Sequence, residues 1–236
     1  GWAMGLFPIE GVGHQVLLPR SDYEIEDTWF VAGMRGTGTK DIHVPGAFVP
    51  DHRIMPSIVF NEQNPPGAGV HESYIYAMEF APVQGSSPLG PLIGTAEGAL
   101  AHYVAMTRTK KGAIFGNKVA ESSAVQMRLS ESAAEIHAAD VVAQQDFAFL
   151  HEAAKSGHRL SDEERTAIVR NRGLIAKMCV RATQRLVQMM GASGLTDDNP
   201  VQRHYRDVRL YRIYEGTSEI QRLKIGRDTL RAARES

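Results

Sequence analysis

The stretch SDEERTAIVRNRGLIAKMCVRATQRLVQMMG, residues 161–191, decides the fold class. Its apolar residues recur mostly three, four or seven positions apart, which places them on one face of a long amphipathic helix. These residues are Ile168, Leu174, Ile175, Met178, Cys179, Ala182, Leu186 and Met189. Ser161 and Glu164 have the spacing of a capping box, in which each side chain satisfies the backbone N–H of the other residue. Because Gly191 is a typical helix terminator, the sequence predicts one helix over residues 162–190.

Helical periodicity continues through most of the second half of the chain. Two more helices are expected at roughly 92–108 and 117–155. Asn199-Pro200 is typical of an N-cap followed by the first helical residue, and Ser218-x-x-Gln221 repeats the capping-box pattern. About five helices with short connections predict a mainly antiparallel bundle over residues 91–236.

The first part of the chain has the signals of strands and turns. β-Branched and aromatic residues alternate with turn sequences over residues 1–56, which predicts part of a β-sheet domain. The predicted strands are Gln15–Leu18, Tyr23–Val31 and Asp41–Val49. Residues 57–90 are rich in Pro, Gly and Ser and are interpreted as a connecting segment. The expected fold class is therefore α+β, a partial sheet domain followed by an all-α bundle.

The composition excludes several classes of function. Lys and Arg number 26 against 27 Asp and Glu, so the chain has no general attraction to nucleic acid or anionic lipid. The single cysteine, Cys179, cannot form an intrachain disulfide or a cysteine-based zinc site, and a reducing cytoplasm is the expected compartment. The nine histidines are scattered, so no metal site is expected. Rossmann and P-loop patterns and membrane-length apolar runs are also absent.

One carboxylate stands at a position suited to chemistry. Residues 202–221 read QRHYRDVRLYRIYEGTSEIQ and place Glu215 in a short joint between two helices, just before a capped N-terminus. A carboxylate held there by rigid elements can reach into a cleft as a general base. The alternative is that Glu215 only complements the dipole of the following helix. Spacing alone leaves both readings open.

The segments around Glu215 resemble the C-terminal signature of the acyl-CoA dehydrogenase flavoproteins. The similarity lies in QMMGASG at residues 188–194, Asn199-Pro200, Arg206-Asp207 and IYEGTSEIQR at residues 213–222. Phe115-Gly116 is similar to the start of the family's flavin-contacting helix, with Arg108 as its arginine. In the family this arginine stands closer to Phe-Gly. The resemblance covers only the later part of the family chain, so a fragment is expected.

This resemblance implies α,β-dehydrogenation of an acyl thioester. Glu215 would remove the α-proton while a hydride passes to a flavin, FAD or alternatively FMN. The implied flavin contacts are Arg108, Phe115, Gln188, Gly191, Gly194 and Thr217. Gln188, Gly191 and Gly194 would reach the flavin of a neighbouring subunit. The implied partners are acyl-CoA or another small molecule, an electron-transfer flavoprotein, and further copies of the chain in a homodimer or homotetramer.

The N-terminal portion is more similar to the flavin-dependent hydroxylases that share the dehydrogenase fold. The similar segments are Asp27-Thr28-Trp29, GMRGTGTKD at residues 33–41 and Phe48-Val49-Pro50. Such enzymes take reduced flavin from a partner reductase and activate oxygen, and they place a histidine in the final helical stretch. Here no histidine follows His204, and Tyr214 and Glu215 occupy that place. The main expectation is thus dehydrogenation; the alternatives are a reduced-flavin-dependent monooxygenase and a non-catalytic oligomerisation module.

Several of these residues also have a structural interpretation. Gly191 and Gly194 can simply end the long helix. Trp29 and Met34 either line a flavin or fill the core of the sheet. The basic residues near Arg108 serve either a nucleotide phosphate or solubility, and arginines spaced three apart are more typical of a solvated helix face. The basic residues near Arg108 are Arg108, Lys110, Lys111 and Lys118. The arginines spaced three apart are Arg203, Arg206, Arg209 and Arg212.

Overall fold

A small antiparallel sheet precedes a bundle of helices in the computed structural model, as the sequence predicts. The structure describes residues 1–61, 67–111, 116, 118–214 and 218–235. Phe115, Glu215 and Thr217, three of the predicted site residues, lie outside the described residues.

The main sheet has three strands, and the second strand of the chain lies between the other two. Strand β1 (Trp2–Ile9) pairs antiparallel with β2 (Val12–Pro19), and β2 pairs antiparallel with β5 (Ile54–Pro56). The hairpin turns at Glu10 and Gly11, both at positive φ, which matches the twist of paired strands. A second ribbon pairs β3 (Glu24–Glu26) with β4 (Asp41–His43). Val16, Leu18 and Tyr23 form the buried centre of this part.

The strands differ from those that the sequence predicts. Strand β1 is not predicted, because Gly5 and Pro8 interrupt its pattern. The predicted strands 23–31 and 41–49 shrink to three residues each, since only those residues find a partner across the ribbon. The chain on either side follows turns and extended segments instead.

The helices are α1 (Phe80–Ser86), α2 (Leu89–Thr107), α3 (Ser123–Ser156), α4 (Asp162–Met190), α5 (Pro200–Leu210) and α6 (Ser218–Glu235). Helix α1 lies within the predicted connecting segment, and α2 begins two residues before the predicted start of the bundle. Helix α3 begins at Ser123, later than expected, because a 3₁₀ turn at Val119–Glu121 precedes it. None of the described helices combines the length and apolar character needed to cross a bilayer.

Helix α4 is the centre of the bundle, as its periodicity predicts. Ile175, Cys179 and Ala182 are fully buried and pack with α2, α3 and α5 in one cluster. The predicted capping box at its start is confirmed. Ser161 N–H donates to Glu164 Oε2 at 2.7 Å, and Glu164 N–H donates to Ser161 Oγ at 3.2 Å.

The caps of the last two helices differ from each other. Asn199 caps α5 as predicted, because its Oδ1 accepts the Val201 N–H at 2.9 Å. Ser218, predicted as the cap of α6, is instead the first residue of that helix. Its N–H donates to the Arg212 carbonyl at 3.0 Å, which closes the joint between α5 and α6.

Candidate functional site

The predicted flavin contacts that the structure describes meet at one end of the bundle. Arg108 caps the C-terminus of α2 and is exposed. Gln188 is exposed in the last turn of α4, and Gly191 ends that helix at φ 62° and ψ −144°. The two helix ends are neighbours, since Ala99 and Tyr103 of α2 share a core cluster with α4 residues near Gln188. An arginine, an amide and an exposed glycine at one surface can receive an anionic ligand.

Lys110 connects the two helix ends. Its ammonium donates to the Met190 carbonyl at 3.1 Å and to Ser193 Oγ at 2.9 Å. A cation at the C-terminus of α4 also complements the helix dipole. Lys110 therefore has a structural role within the chain, which differs from both the phosphate and the solubility roles expected of the basic run.

The two predicted glycines differ in what surrounds them. A Cβ at Gly194 would lie 2.7 Å from the Val187 carbonyl oxygen, so close packing within the chain requires glycine there. A Cβ at Gly191 would have nothing within 4 Å among the described residues, and its positive φ suits glycine. In the part of the chain that the structure describes, Gly191 thus leaves open space at the surface, while Gly194 is buried.

The residues flanking Glu215 lie at a different part of the bundle. Tyr211, Tyr214, Ser218 and Gln221 line a cavity of about 50 Å³, opposite Arg172 and neighbouring residues from α1, α2 and α4. The rings of Tyr211 and Tyr214 are 5.1 Å apart, and burial raises the pKa of the Tyr211 phenol. Tyr211 therefore stays a neutral hydrogen-bond donor at physiological pH.

The two regions are well separated within one chain. Ala176 of α4 lines the cavity, and Gln188 lies twelve residues further along the same helix, which corresponds to roughly 18 Å at 1.5 Å per residue. One copy of the chain does not bring Gln188 to the joint.

A loop of the sheet part packs against α5 just before the joint. Met34 adopts a left-handed conformation at φ 52°, which costs a non-glycine residue roughly 1–2 kcal/mol. Its N–H donates to Asp207 Oδ1 at 2.6 Å, and its carbonyl accepts the Trp29 indole N–H at 3.0 Å. At Gly33 a Cβ would lie 2.5 Å from the Arg206 carbonyl oxygen, so only glycine allows this approach.

This contact corrects two expectations from the sequence. Arg206 does not lie on a fully solvated face, because its Nη1 donates to the Ala32 carbonyl at 2.9 Å and its Nε is buried. Met34 acts mainly through its backbone and not as a core side chain. The clue in the sequence is Gly33 beside Met34, together with Arg206-Asp207, but nothing local connects segments 173 residues apart.

A pair of histidines, His102 of α2 and His204 of α5, connects these two helices. His102 Nδ1 and His204 Nε2 are 3.0 Å apart, with the rings stacked at 5.2 Å. Burial, followed by the nearby His102 and Arg203, lowers the pKa of His204. Within the part of the chain that the structure describes, no group of three or more His, Cys, Asp or Glu side chains is placed to hold a metal ion.

Comparison with known proteins shows similarity to flavin-dependent enzymes. The family "Acyl-CoA dehydrogenase, C-terminal domain" matches residues 89–219. An FADH(2)-dependent resorcinol hydroxylase, oxygenase component, from Rhizobium sp. is 32% identical over 222 residues, covering 88% of this chain and 54% of that protein. A probable acyl-CoA dehydrogenase, fadE25, from Mycobacterium bovis is 27% identical over 199 residues, covering 84% of this chain and 46% of that protein.

A solved structure is similar over nearly the whole chain. The 3-HSA hydroxylase from Rhodococcus sp. RHA1 superposes with a TM-score of 0.88 at 25% identity, over 97% of this chain and 61% of that one. The chain spans about half the length of the resorcinol hydroxylase component and of the dehydrogenase. Since the family match covers more than half of the chain and the superposition includes both the sheet and the bundle, the chain belongs to the acyl-CoA dehydrogenase family and contains its C-terminal helical domain.

Proposed function

We propose that this chain acts in a flavin-dependent monooxygenase, as an oxygenase component that receives reduced FAD from a separate reductase. The observation that carries the proposal is the superposition on the 3-HSA hydroxylase, which covers 97% of this chain with a TM-score of 0.88. The higher identity to the resorcinol hydroxylase, 32% against 27% for the dehydrogenase, supports the same branch. The dehydrogenase function expected from the joint sequence is less well supported.

The residues at the exposed end of the bundle fit part of a flavin dinucleotide. Arg108 supplies a guanidinium and Gln188 an amide, while the open space at Gly191 admits a ligand to the backbone. These groups suit the pyrophosphate and adenine half, which favours FAD over FMN. Their distance from the joint fits a site shared by two copies of the chain, each contributing its exposed end to the partner's flavin. When bound, FAD supplies the electron pair that reduces oxygen.

The residues of the joint suit recognition of a phenolic substrate. Tyr211 is held as a neutral donor beside Tyr214, next to apolar residues of α2 such as Leu92. The cavity of about 50 Å³ is too small to enclose an aromatic ring, so these residues would contact only the hydroxyl of a substrate bound beside them. The substrate class proposed is a small aromatic alcohol, and the similarity to the resorcinol hydroxylase component supports it.

A second function remains a candidate because of one feature of the sequence. Glu215 stands in the joint where a general base of an acyl-CoA dehydrogenase would lie, and no histidine follows His204. Under this second proposal Glu215 removes the α-proton of an acyl thioester, and an electron-transfer flavoprotein is the partner.

Glu215→Gln separates the two functions. Protein carrying residues 1–236 is mixed with FAD, a flavin reductase, NADH and a panel of phenols in air, and hydroxylated products are measured. In parallel, oxidised FAD is mixed with acyl-CoA thioesters without oxygen, and loss of flavin absorbance is followed. We expect hydroxylation that survives Glu215→Gln and no bleaching. Bleaching that Glu215→Gln abolishes would establish the dehydrogenase instead.

A further inference from the structure

The contact between the sheet loop and α5 lies one helical turn from the cavity at the joint. Asp207 accepts the Met34 N–H at 2.6 Å, and Tyr211 follows four positions later, on the same face of the chain as α5 ends. The charge of Asp207 also acts on both Tyr211 and His204. One carboxylate therefore lies between the loop, the histidine pair and the cavity.

The loop side of this contact is held by several bonds that depend on Met34. The Met34 carbonyl accepts from the Trp29 indole at 3.0 Å and from Thr37 Oγ1 at 2.9 Å. These bonds need the left-handed backbone of Met34, which a short charge-assisted bond to Asp207 holds in place. Arg206 adds a bond to the Ala32 carbonyl at 2.9 Å, so consecutive residues of α5 hold neighbouring parts of the loop.

We propose that Asp207 is a positioning residue, which fixes the start of the α5–α6 joint by anchoring it to the Trp29–Met34 loop. The proposal rests on the proposed function for its effect on turnover, and on the described contacts for its effect on the joint. Loss of the acceptor should release the loop, let the end of α5 move, and misplace Tyr211 and Tyr214 relative to a bound substrate. Asp207 acts through these tyrosines and does not itself contact substrate.

Two substitutions of Asp207 separate its role as hydrogen-bond acceptor for the Met34 N–H from its negative charge. Asp207→Ala removes the acceptor, whereas Asp207→Asn keeps a carbonyl oxygen for the Met34 N–H. Gly33→Ala leaves the carboxylate intact but places a Cβ 2.5 Å from the Arg206 carbonyl oxygen, and so pushes the loop away by another route. Asp140→Ala on α3, where the carboxylate accepts from Gln144, is the matched control. Gly33→Ala also covers the case in which Asp207→Ala does not fold.

The measurements report the loop, the joint and the reaction in turn. In a Trp2→Phe background Trp29 is the only tryptophan, and acrylamide quenching of its fluorescence reports release of the loop. Trypsin cleavage after Arg212 reports loosening of the joint. Asp207→Ala and Gly33→Ala should increase both the quenching of Trp29 and the cleavage after Arg212. They should also lower kcat by about tenfold or more with little change in KM for reduced FAD. Asp207→Asn should stay near wild type in all of these measurements.

Two results would overturn the proposal. One is stronger quenching with cleavage after Arg212 and kcat both unchanged, which makes the contact purely structural. The other is unchanged quenching in Asp207→Ala. A third result separates the two proposals. If the wild type shows no turnover, but quenching and cleavage both increase in Asp207→Ala and Gly33→Ala, the positioning role stands and the proposed function fails.

Discussion

The Lys110 ammonium donates a hydrogen bond of 3.1 Å to the carbonyl of Met190, the last residue of α4. The same ammonium reaches Ser193 in the turn that follows. This contact holds the turn after α2, which begins at Arg108, against the end of α4, which carries Gln188. The arrangement of the proposed FAD contacts thus depends on a lysine that makes no proposed contact with the flavin.

Lys110→Met should lower both stability and affinity for FAD. The substitution keeps the length of the side chain and removes two hydrogen bonds from a charged donor, at a cost of about 1–3 kcal/mol in the free energy of unfolding. Urea denaturation measures this cost. Lys111→Met at the exposed neighbouring lysine is the control and should change the free energy by less than about 0.5 kcal/mol. Equal effects of the two substitutions would contradict the role given to Lys110.

Gly194→Ala should destabilise the turn after α4. Its Cβ would lie 2.7 Å from the Val187 carbonyl oxygen, and such overpacking costs about 1–3 kcal/mol. Gly173→Ala in the middle of α4 is the matched control, because a Cβ there meets nothing within 4 Å among the described residues. It should stabilise the helix by up to about 1 kcal/mol. Thermal unfolding compares them, and a stabilising Gly194→Ala would be inconsistent with the packing described.

The buried carboxyl of Asp146 should make stability fall as pH rises. Burial raises its pKa, opposed by the hydrogen bond from Asn171 and the charge of Arg170, and Oδ2 has no hydrogen-bond partner among the described residues. The folded protein therefore holds this proton more tightly than the unfolded chain. The cost of ionisation is absent below the unfolded pKa, about 3.9, and grows until pH passes the folded pKa.

Asp146→Asn is the test of this carboxyl. The amide keeps an acceptor for Asn171 and cannot ionise, but it buries an NH2 where Oδ2 has no partner among the described residues. The substitution should therefore be more favourable at pH 8 than at pH 4. Denaturation midpoints at both pH values measure the difference. A destabilising effect that is the same at both values would show that ionisation of Asp146 plays no part.

The histidine pair should make stability fall on acidification. Burial, followed by nearby His102 and Arg203, lowers the pKa of His204, so the unfolded chain binds its proton more readily than the folded protein. The contribution of neutral His204 to the free energy of unfolding is complete above the unfolded pKa of about 6.5 and is lost as pH falls through the folded pKa. Asp207, which raises the pKa, opposes the effect only in part.

His204→Gln should reduce this acid sensitivity. The free energy of unfolding is compared at pH 7.5 and 5.5 for the wild type, for His204→Gln and for His137→Gln, an exposed histidine of α3 that serves as control. The wild type and the control should lose stability over this interval, and His204→Gln should lose less. An unchanged slope in His204→Gln would assign the acid sensitivity to other groups.

The features that the sequence predicts correctly are set by nearby residues. The helix at 162–190 and its Ser161–Glu164 capping box follow from spacing within a few turns, and so does the Asn199 cap. Strand β1 depends instead on pairing with β2, which offsets its Gly5 and Pro8. Local pattern therefore predicts the bundle better than it predicts the sheet.

In the candidate site, too, local sequence predicts some features and tertiary contacts determine the others. Gln188 and Gly191 can be selected by motif, and the structure places them at the end of α4, which shares a core cluster with the helix that ends at Arg108. The bond between Met34 and Asp207, and the pairing of His102 with His204, join residues 173 and 102 positions apart. Such contacts arise from tertiary packing and leave no periodic trace in the sequence. The flavin contacts of Phe115 and Thr217 and the general-base role of Glu215 stay predictions.

The most direct test of the monooxygenase function is the source of oxygen in the product. Protein carrying residues 1–236 is supplied with FAD, a reductase, NADH and a phenol under isotopically labelled oxygen, and the product is analysed by mass spectrometry. We predict one labelled oxygen atom in a hydroxylated product, with the second leaving as water and two electrons coming from reduced FAD. An unlabelled phenol, together with an α,β-unsaturated product from an acyl-CoA thioester, would contradict this function.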